Sequence, residues 1–296
     1  MKRRFIQCDV FTDEPTRGNG LAVVVDGDGL SDEQMQSFAT WTNLAETTFL
    51  QTPSDPAADY KVRIFTPKRE MLFAGHPTLG SCTSWLHFGG KPKGKKTVVQ
   101  ECGVGLVPIH MQGDRLAFEA PPTKISEMPH EMKAAVIAAM GLDRDVVVDT
   151  AVLDNGPVWQ AFRLKSAQDV LAVDSATIRW PEFLGVGLIG PHDVSGETEG
   201  KLDIGLLAPH ASGGVFDYEV RMLAPSSGMS EDPITGSLNA ALAKWMLATG
   251  DLPDEMIVSQ GVCLGRKGKV HVSRSGEDTI LIGGQTLILI EGSVEL

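Results

Sequence analysis

Twice in its 296 residues the chain sets a titratable side chain directly before a proline and follows it, after two residues, with Gly-Ser. The first copy reads Gly75-His76-Pro77-Thr78-Leu79-Gly80-Ser81; the second reads Glu231-Asp232-Pro233-Ile234-Thr235-Gly236-Ser237. Each follows an Arg-x-x-x-Pro segment, Arg63 to Pro67 and Arg221 to Pro225, and each leads into an apolar stretch. His76 and Asp232 lie 232 − 76 = 156 residues apart, so the ordered pair reads as an internal duplication. Proline is tolerated at the first helical position, where a missing N–H costs nothing. His76 and Asp232 are therefore expected as helix N-caps, with Pro77 and Pro233 opening the helices. A helix start offers unpaired N–H groups and a partial positive charge, which suit a carboxylate. With the two starts face to face, a small anion would sit between two groups able to exchange protons with it. A plainer alternative stands beside this one: Asp232 as a cap contributing about 1 kcal/mol, and His76 as a histidine satisfied in the core or at the surface.

Such groups need elements to hold them. Arg4 to Val10 and Leu21 to Val25 read as strands, joined by Arg17-Gly18-Asn19-Gly20, a turn whose two glycines are free of the φ < 0 restriction. Ser31 followed by Gln34 forms a capping box, opening a helix to about Trp41 with Met35, Phe38 and Ala39 inward. Glu46 to Gln51 and Lys61 to Thr66 are β-rich. Thr97 to Gln100, Gly105 to Met111 and Leu116 to Glu119 read as a meander that Pro121-Pro122 ends. That break divides the chain into an N-terminal lobe, 1–120, and a C-terminal lobe, 121–284, with strand 285–296 a candidate to complete the first. Beyond it come a helix from Glu131 to Met140 stopped by Gly141, and one from Ile234 to Thr249 ended by Gly250. Strands are expected near Val146–Val152, Trp159–Leu164, Val186–Ile189, Lys201–Leu207, Val215–Leu223, Val270–Ser273 and Thr279–Leu296. Strands outnumber helices, an α+β pattern.

Composition removes several function classes. Net charge is 26 − 38 = −12, which repels phosphate backbones and argues against nucleic acid as a partner. The most apolar late stretch, Thr279 to Ile290, is broken by Gly283-Gly284 and is too short to span a bilayer, so no membrane association is expected. Four cysteines without a C-x-x-C pair fit a reducing compartment, and the N-terminus carries no apolar signal region; a cytoplasmic location is expected. Gly185-Val-Gly-Leu-Ile-Gly190 matches a dinucleotide fingerprint in letters only, since Pro191 follows where a helix should open. The seven histidines form no H-E-x-x-H or close pair, and no G-x-S-x-G elbow occurs, so no metal set and no serine nucleophile are expected.

Read in order, Asp9-Val-Phe-Thr, Gly18-Asn19, Leu21-Ala-Val-Val, Asn43-Leu-Ala-Glu46-Thr-Thr-Phe, Arg63-Ile-Phe-Thr-Pro67, Phe73-Ala-Gly-His76-Pro-Thr and Glu231-Asp232-Pro-Ile-Thr-Gly-Ser237 form a collinear set. Together they resemble the phenazine-biosynthesis PhzF-like family of isomerases, which share the diaminopimelate-epimerase fold. The resemblance spans nearly the whole chain. It implies a duplicated two-lobe fold, each lobe a barrel-like, mostly antiparallel sheet around a central helix, with the active site in the cleft. It further implies a cofactor-free proton transfer on a small unsaturated or amino carboxylate, and a homodimer. Glu46 would be the main general acid/base, its pKa raised by partial dehydration. His76 and Asp232 would assist, while Asn19, Gly75, Gly236 and Ser237 would bind substrate. The plain alternative for Glu46 is a solvated glutamate on a strand edge.

Two departures bear on substrate: Gly20 follows Asn19 where the family usually has proline, and Ala45 precedes Glu46 where it often has serine. Glu101-Cys102-Gly103 resembles half of the cysteine pair of diaminopimelate epimerases, but the duplication pairs no second cysteine with it. From another class, a non-catalytic small-anion-binding protein on the same fold stays open.

Overall fold

The computed structural model describes residues 1–180, 184–192, 216–225 and 230–296. The strand expected at Lys201–Leu207 lies outside them, as does Val215. The chain divides into two compact units, Met1–Glu119 with Leu281–Leu296, and Ala120–Ile280.

In unit 1 the strands are β1 (Lys2–Val10), β2 (Asn19–Val24), β3 (Glu46–Gln51), β4 (Tyr60–Phe65), the two-residue β5 (Glu70–Met71), β6 (Thr97–Cys102), β7 (Gly105–Gln112) and β8 (Arg115–Glu119). β1 and β2 pair antiparallel, β2 and β3 parallel, β3 and β4 antiparallel, β4 and β6 parallel, and β6, β7 and β8 antiparallel in turn. The C-terminal strands Ile280–Gly284 and Thr286–Glu295, one residue apart, pair with β8 and with β1 respectively. The sheet thus begins and ends on one chain segment and curves back on itself. Helix α1 (Asp32–Thr42) opens on the complete Ser31–Gln34 capping box and buries Met35, Phe38 and Ala39. Helix α2 (Gly75–His87) touches β1, β2, β3, β4, β6 and β8, so the sheet wraps it. Its small residues let strands come close: a Cβ on Gly80 would meet Leu21, Cys8 and Val10. Its polar side chains are spent inside, Ser81 donating to Thr48 Oγ1 at 2.9 Å and Ser84 to the Gly80 carbonyl at 2.8 Å.

Unit 2 repeats this connectivity. Its strands are β9 (Lys124–Glu127), β10 (Val147–Asp154), β11 (Val158–Leu164), β12 (Gly185–Pro191), β13 (Tyr218–Leu223), the two-residue β14 (Glu231–Asp232), β15 (Glu255–Gln260) and β16 (Gly268–Arg274). β10–β11 is antiparallel, β11–β12 parallel, β12–β13 antiparallel, β13–β15 parallel and β15–β16 antiparallel. Helix α3 (His130–Met140) ends at left-handed Gly141. The short α4 (Ala167–Leu171), capped by Ser166, stands between β11 and β12 as α1 stands between β2 and β3. Helix α5 (Gly236–Thr249) follows β14 as α2 follows β5, and is buried on nearly every side. The glycine run 185–190 lies inside strand β12, where Cβ atoms on Gly187 and Gly190 would strike Leu238 and Ser166. Those glycines make room for packing.

The repeat corrects the register drawn from the sequence. β4 pairs with β5 as Ile64↔Met71 and Phe65↔Glu70, and β13 with β14 as Met222↔Asp232 and Leu223↔Glu231. Glu70 therefore corresponds to Glu231, Met71 to Asp232, and from each the helix begins four residues later, at Gly75 and Gly236. His76 matches Ser237, not Asp232. The shared His/Asp-Pro spelling misaligns the copies by five residues: Pro77 lies within the first turn of α2, where proline is tolerated, whereas Pro233 lies three residues ahead of α5.

Candidate active site

In unit 1 three element starts converge. Asn19 is the first residue of β2, Glu46 the first of its parallel neighbour β3, and His76 the second residue of α2. Parallel strands begin at the same end of a sheet, so Asn19 and Glu46 share an end by topology. His76 does not cap α2: the cap is Ala74, and Thr78 N–H makes the first helical bond back to it. Gly75 and His76 keep their N–H groups outside the helical ladder, and Pro77 has none.

Gly18 and Asn19 depart from the expected free turn, since Asn19 and Gly20 are already strand, paired with Val10 and Asp9. What Gly18 supplies is space. A Cβ there would collide with the Val10 carbonyl, with Thr12 Cγ2 at 2.7 Å and with Asp9 Oδ1 at 2.9 Å. Its N–H donates to buried Asp9 Oδ2 at 2.9 Å, which fixes the entry to Asn19.

Asn19 Nδ2 lies 3.3 Å from His76 Nδ1. An amide nitrogen only donates, so Nδ1 accepts and the proton of the neutral ring sits on Nε2. Burial pushes His76 down to about 3, so the ring is uncharged at neutral pH. Nε2 faces Glu46 Oε2 at 3.3 Å, outside hydrogen-bond alignment, and Glu46's side chain is 17% exposed. This is a neutral donor poised against a carboxyl group, not an ion pair. Glu46 begins an interior strand of the sheet and is not a solvated edge residue.

In unit 2 Asp232 is buried on β14 and accepts from the Thr235 hydroxyl. It does not cap α5. Strand pairing with Met222 carries the chain extended through Asp232, and Thr235 takes the cap position. Gly236 and Ser237 are then the first two helical residues, with Asn239 N–H the first to bond back. Asn155, which the sequence analysis passed over, donates through Nδ2 to the Ser237 carbonyl at 2.8 Å and accepts from Trp159 Nε1 at 3.1 Å. Its Asn155-Gly156 spelling in a tight turn was the available signal.

The pairing of a carboxyl with a neutral imidazole, beside helix N–H groups, can take a proton from carbon and stabilise the charge that results. The family model for phenazine biosynthesis-like proteins matches residues 8–292. The chain belongs to that family. The Antisense-enhancing sequence 1 protein of Schizosaccharomyces pombe is 34% identical to it, with 97% of each chain covered. The trans-2,3-dihydro-3-hydroxyanthranilate isomerase of Pseudomonas aeruginosa is 29% identical, over 92% of this chain and 91% of that one. In fold, the PhzF-family protein of Bacillus anthracis matches with a TM-score of 0.79 over 100% of both chains, at 21% identity. These relatives place the chain among the PhzF-like isomerases.

Two expectations follow from this geometry. Because His76 titrates near 3 in the folded protein and near 6.5 when unfolded, the folded state binds fewer protons between those values. Its contribution to stability is full above about 6.5 and is lost as pH falls toward 3. Urea midpoints measured from pH 7 to 4 should therefore fall less steeply in His76→Gln than in the parent. Gly18→Ala should cost roughly 1–3 kcal/mol through the collisions above, and should move the His76 ring resonances by displacing Asn19. An unchanged melting midpoint and unchanged His76 shifts would contradict that.

Proposed function

We propose that the protein is a cofactor-independent isomerase that moves a proton on a small unsaturated or amino carboxylate by general acid/base catalysis. The observation that carries this is the Glu46 carboxyl set 3.3 Å from a buried, uncharged His76. Glu46 takes a proton from one carbon, leaving a carbanion delocalised into the unsaturated system. It returns the same proton to a second carbon, so the double bond shifts and no electrons leave the substrate. His76 offers Nε2–H to a substrate oxygen, held in that tautomer by Asn19. Gly75 in α2, and Gly236 and Ser237 in α5, offer helix-start N–H groups to a carboxylate. The part of Asp232, as a second proton-exchanging group in the same turnover, belongs to this proposal and rests on its place before the start of α5.

The named activity of the Pseudomonas aeruginosa relative supplies a first compound for the test. A panel of small unsaturated and amino carboxylates, trans-2,3-dihydro-3-hydroxyanthranilate included, is incubated with the protein in D₂O and followed by NMR. Deuterium entering a defined carbon is the expected result. Compounds that bind without any exchange would favour an anion-binding protein on this fold.

A further inference from the structure

Around the start of α5 four side chains, all at least nine-tenths buried, determine one another's protons: Asp232, Thr235, Asn239 and Gln260. Asn239 Nδ2 donates to the Thr235 carbonyl at 3.0 Å, which can only accept, so that atom is nitrogen. The same nitrogen donates to Gln260 at 2.8 Å, and the Thr235 N–H donates to the same Gln260 atom at 3.1 Å. An atom receiving two donors is the amide oxygen. Gln260's other atom, Nε2, therefore donates to Thr235 Oγ1 at 3.2 Å. A hydroxyl has one hydrogen. With Gln260's proton pointing at its oxygen, Thr235 directs its own to Asp232 Oδ2. A proton on Oδ2 would meet that hydrogen head-on.

We propose that Thr235 and Gln260 are positioning residues that commit Asp232 to exchanging its proton through Oδ1 alone. This rests on the reading of Asp232 given above. The matching place in unit 1 shows what is special. By the register above, Ala74 stands there where unit 2 has Thr235, Cys102 where it has Gln260, Thr78 where it has Asn239 and Met71 where it has Asp232. None of the hydroxyl, the amide or the carboxylate of this chain of bonds has a counterpart at its matching position in unit 1. Charged and titratable groups on the neighbouring elements are Glu219 and the Arg221–Glu231 pair of β13 and β14, Lys244 of α5, Glu255 of β15, Arg266 and Lys267 ahead of β16, and Lys269, His271 and Arg274 on it. The substitutions below touch none of them.

The test titrates the ¹³C-labelled Asp232 carboxyl, assigned by its loss in Asp232→Asn, in the parent, Thr235→Val and Thr235→Ser. Exchange rates in D₂O are measured on the same proteins. Thr235→Val should raise the carboxyl midpoint by about one unit, since a charge-assisted bond favouring the anion is gone. It should also carry the acid limb of the rate profile upward and lower kcat about tenfold with KM within about twofold. Thr235→Ser keeps the hydroxyl and should match the parent. Gln260→Glu, which accepts as before but cannot donate at neutral pH, should move the midpoint the same way and replaces Thr235→Val if that variant does not fold. A valine or glutamate variant titrating with the parent, or a serine variant that fails to restore, overturns the proposal. No exchange by the parent would instead sink the isomerase reading, and the carboxyl titration would still decide this one.

Discussion

Glu46→Gln is expected to lower proton exchange by about 10²–10⁴, the range general acid/base groups supply, while leaving the fold intact. Glutamine has the shape of glutamate and keeps an oxygen that can accept from His76 Nε2–H, so α2 and β3 lose no packing. What it lacks is a group that can hold a proton and give it back. The two functional classes part here. For an anion binder, a carboxyl group in the pocket is an obstacle: two like charges roughly 4 Å apart repel by about 1 kcal/mol in water and more in a drier site. Replacing it with a neutral amide would then hold or raise affinity, and no exchange would have existed to lose. Measuring exchange and binding on the same preparation separates the outcomes. A variant exchanging at parental rate would remove Glu46 from the mechanism altogether. Tightened binding with no exchange in either protein would move the case to the binder.

Much of this geometry could be read from residue types alone, and the failures have physical causes. The Ser31–Gln34 capping box and the Gly141 stop are local devices, complete within a few residues, and both appear as expected. The α+β character follows from strand count and is equally local. What escaped depended on distant pairing. The duplication was visible in Arg63 and Arg221, but its register is set by which residues face each other across β4–β5 and β13–β14, and more residues separate those strands in the sequence of unit 2 (224–230) than in unit 1 (66–69). Helix α4 is five residues long, too short for periodicity to register, although Ser166 and Asp169 spell its cap. Asp9 gave no sign that it holds the turn before Asn19, because its partner is a backbone N–H nine residues away. Glu46 was singled out by resemblance; nothing in its immediate neighbours shows that a histidine 30 positions later will face it.

Removing the carboxylate of Glu231 is expected to cost the protein roughly 3–5 kcal/mol, the penalty for leaving a buried partner charge uncompensated. The duplication supplies its own control. Arg63 and Arg221 occupy matching places on β4 and β13, and each grips a glutamate with two nitrogens, Arg63 to Glu70 and Arg221 to Glu231. Their surroundings differ. Arg63 and Glu70 are 21% and 40% exposed, and Arg63 also reaches Asp32 at the start of α1, so water can take over what a lost partner gave. Arg221 and Glu231 are 1% and 0% exposed, and Arg221 Nη1 donates to the carbonyls of Val170 in α4 and of Val173 just after it. Glu70→Gln should therefore cost less than about 1 kcal/mol, in line with surface pairs, against the several expected of Glu231→Gln in the same urea titration. Equal costs would show that burial is not what separates the two copies. The effect should also reach the chemistry, because Glu231 and Asp232 are the whole of β14. An arginine that loses its anchor frees that two-residue strand, so Glu231→Gln should weaken exchange even at temperatures where the protein stays folded, whereas Glu70→Gln, whose neighbour is Met71, should not.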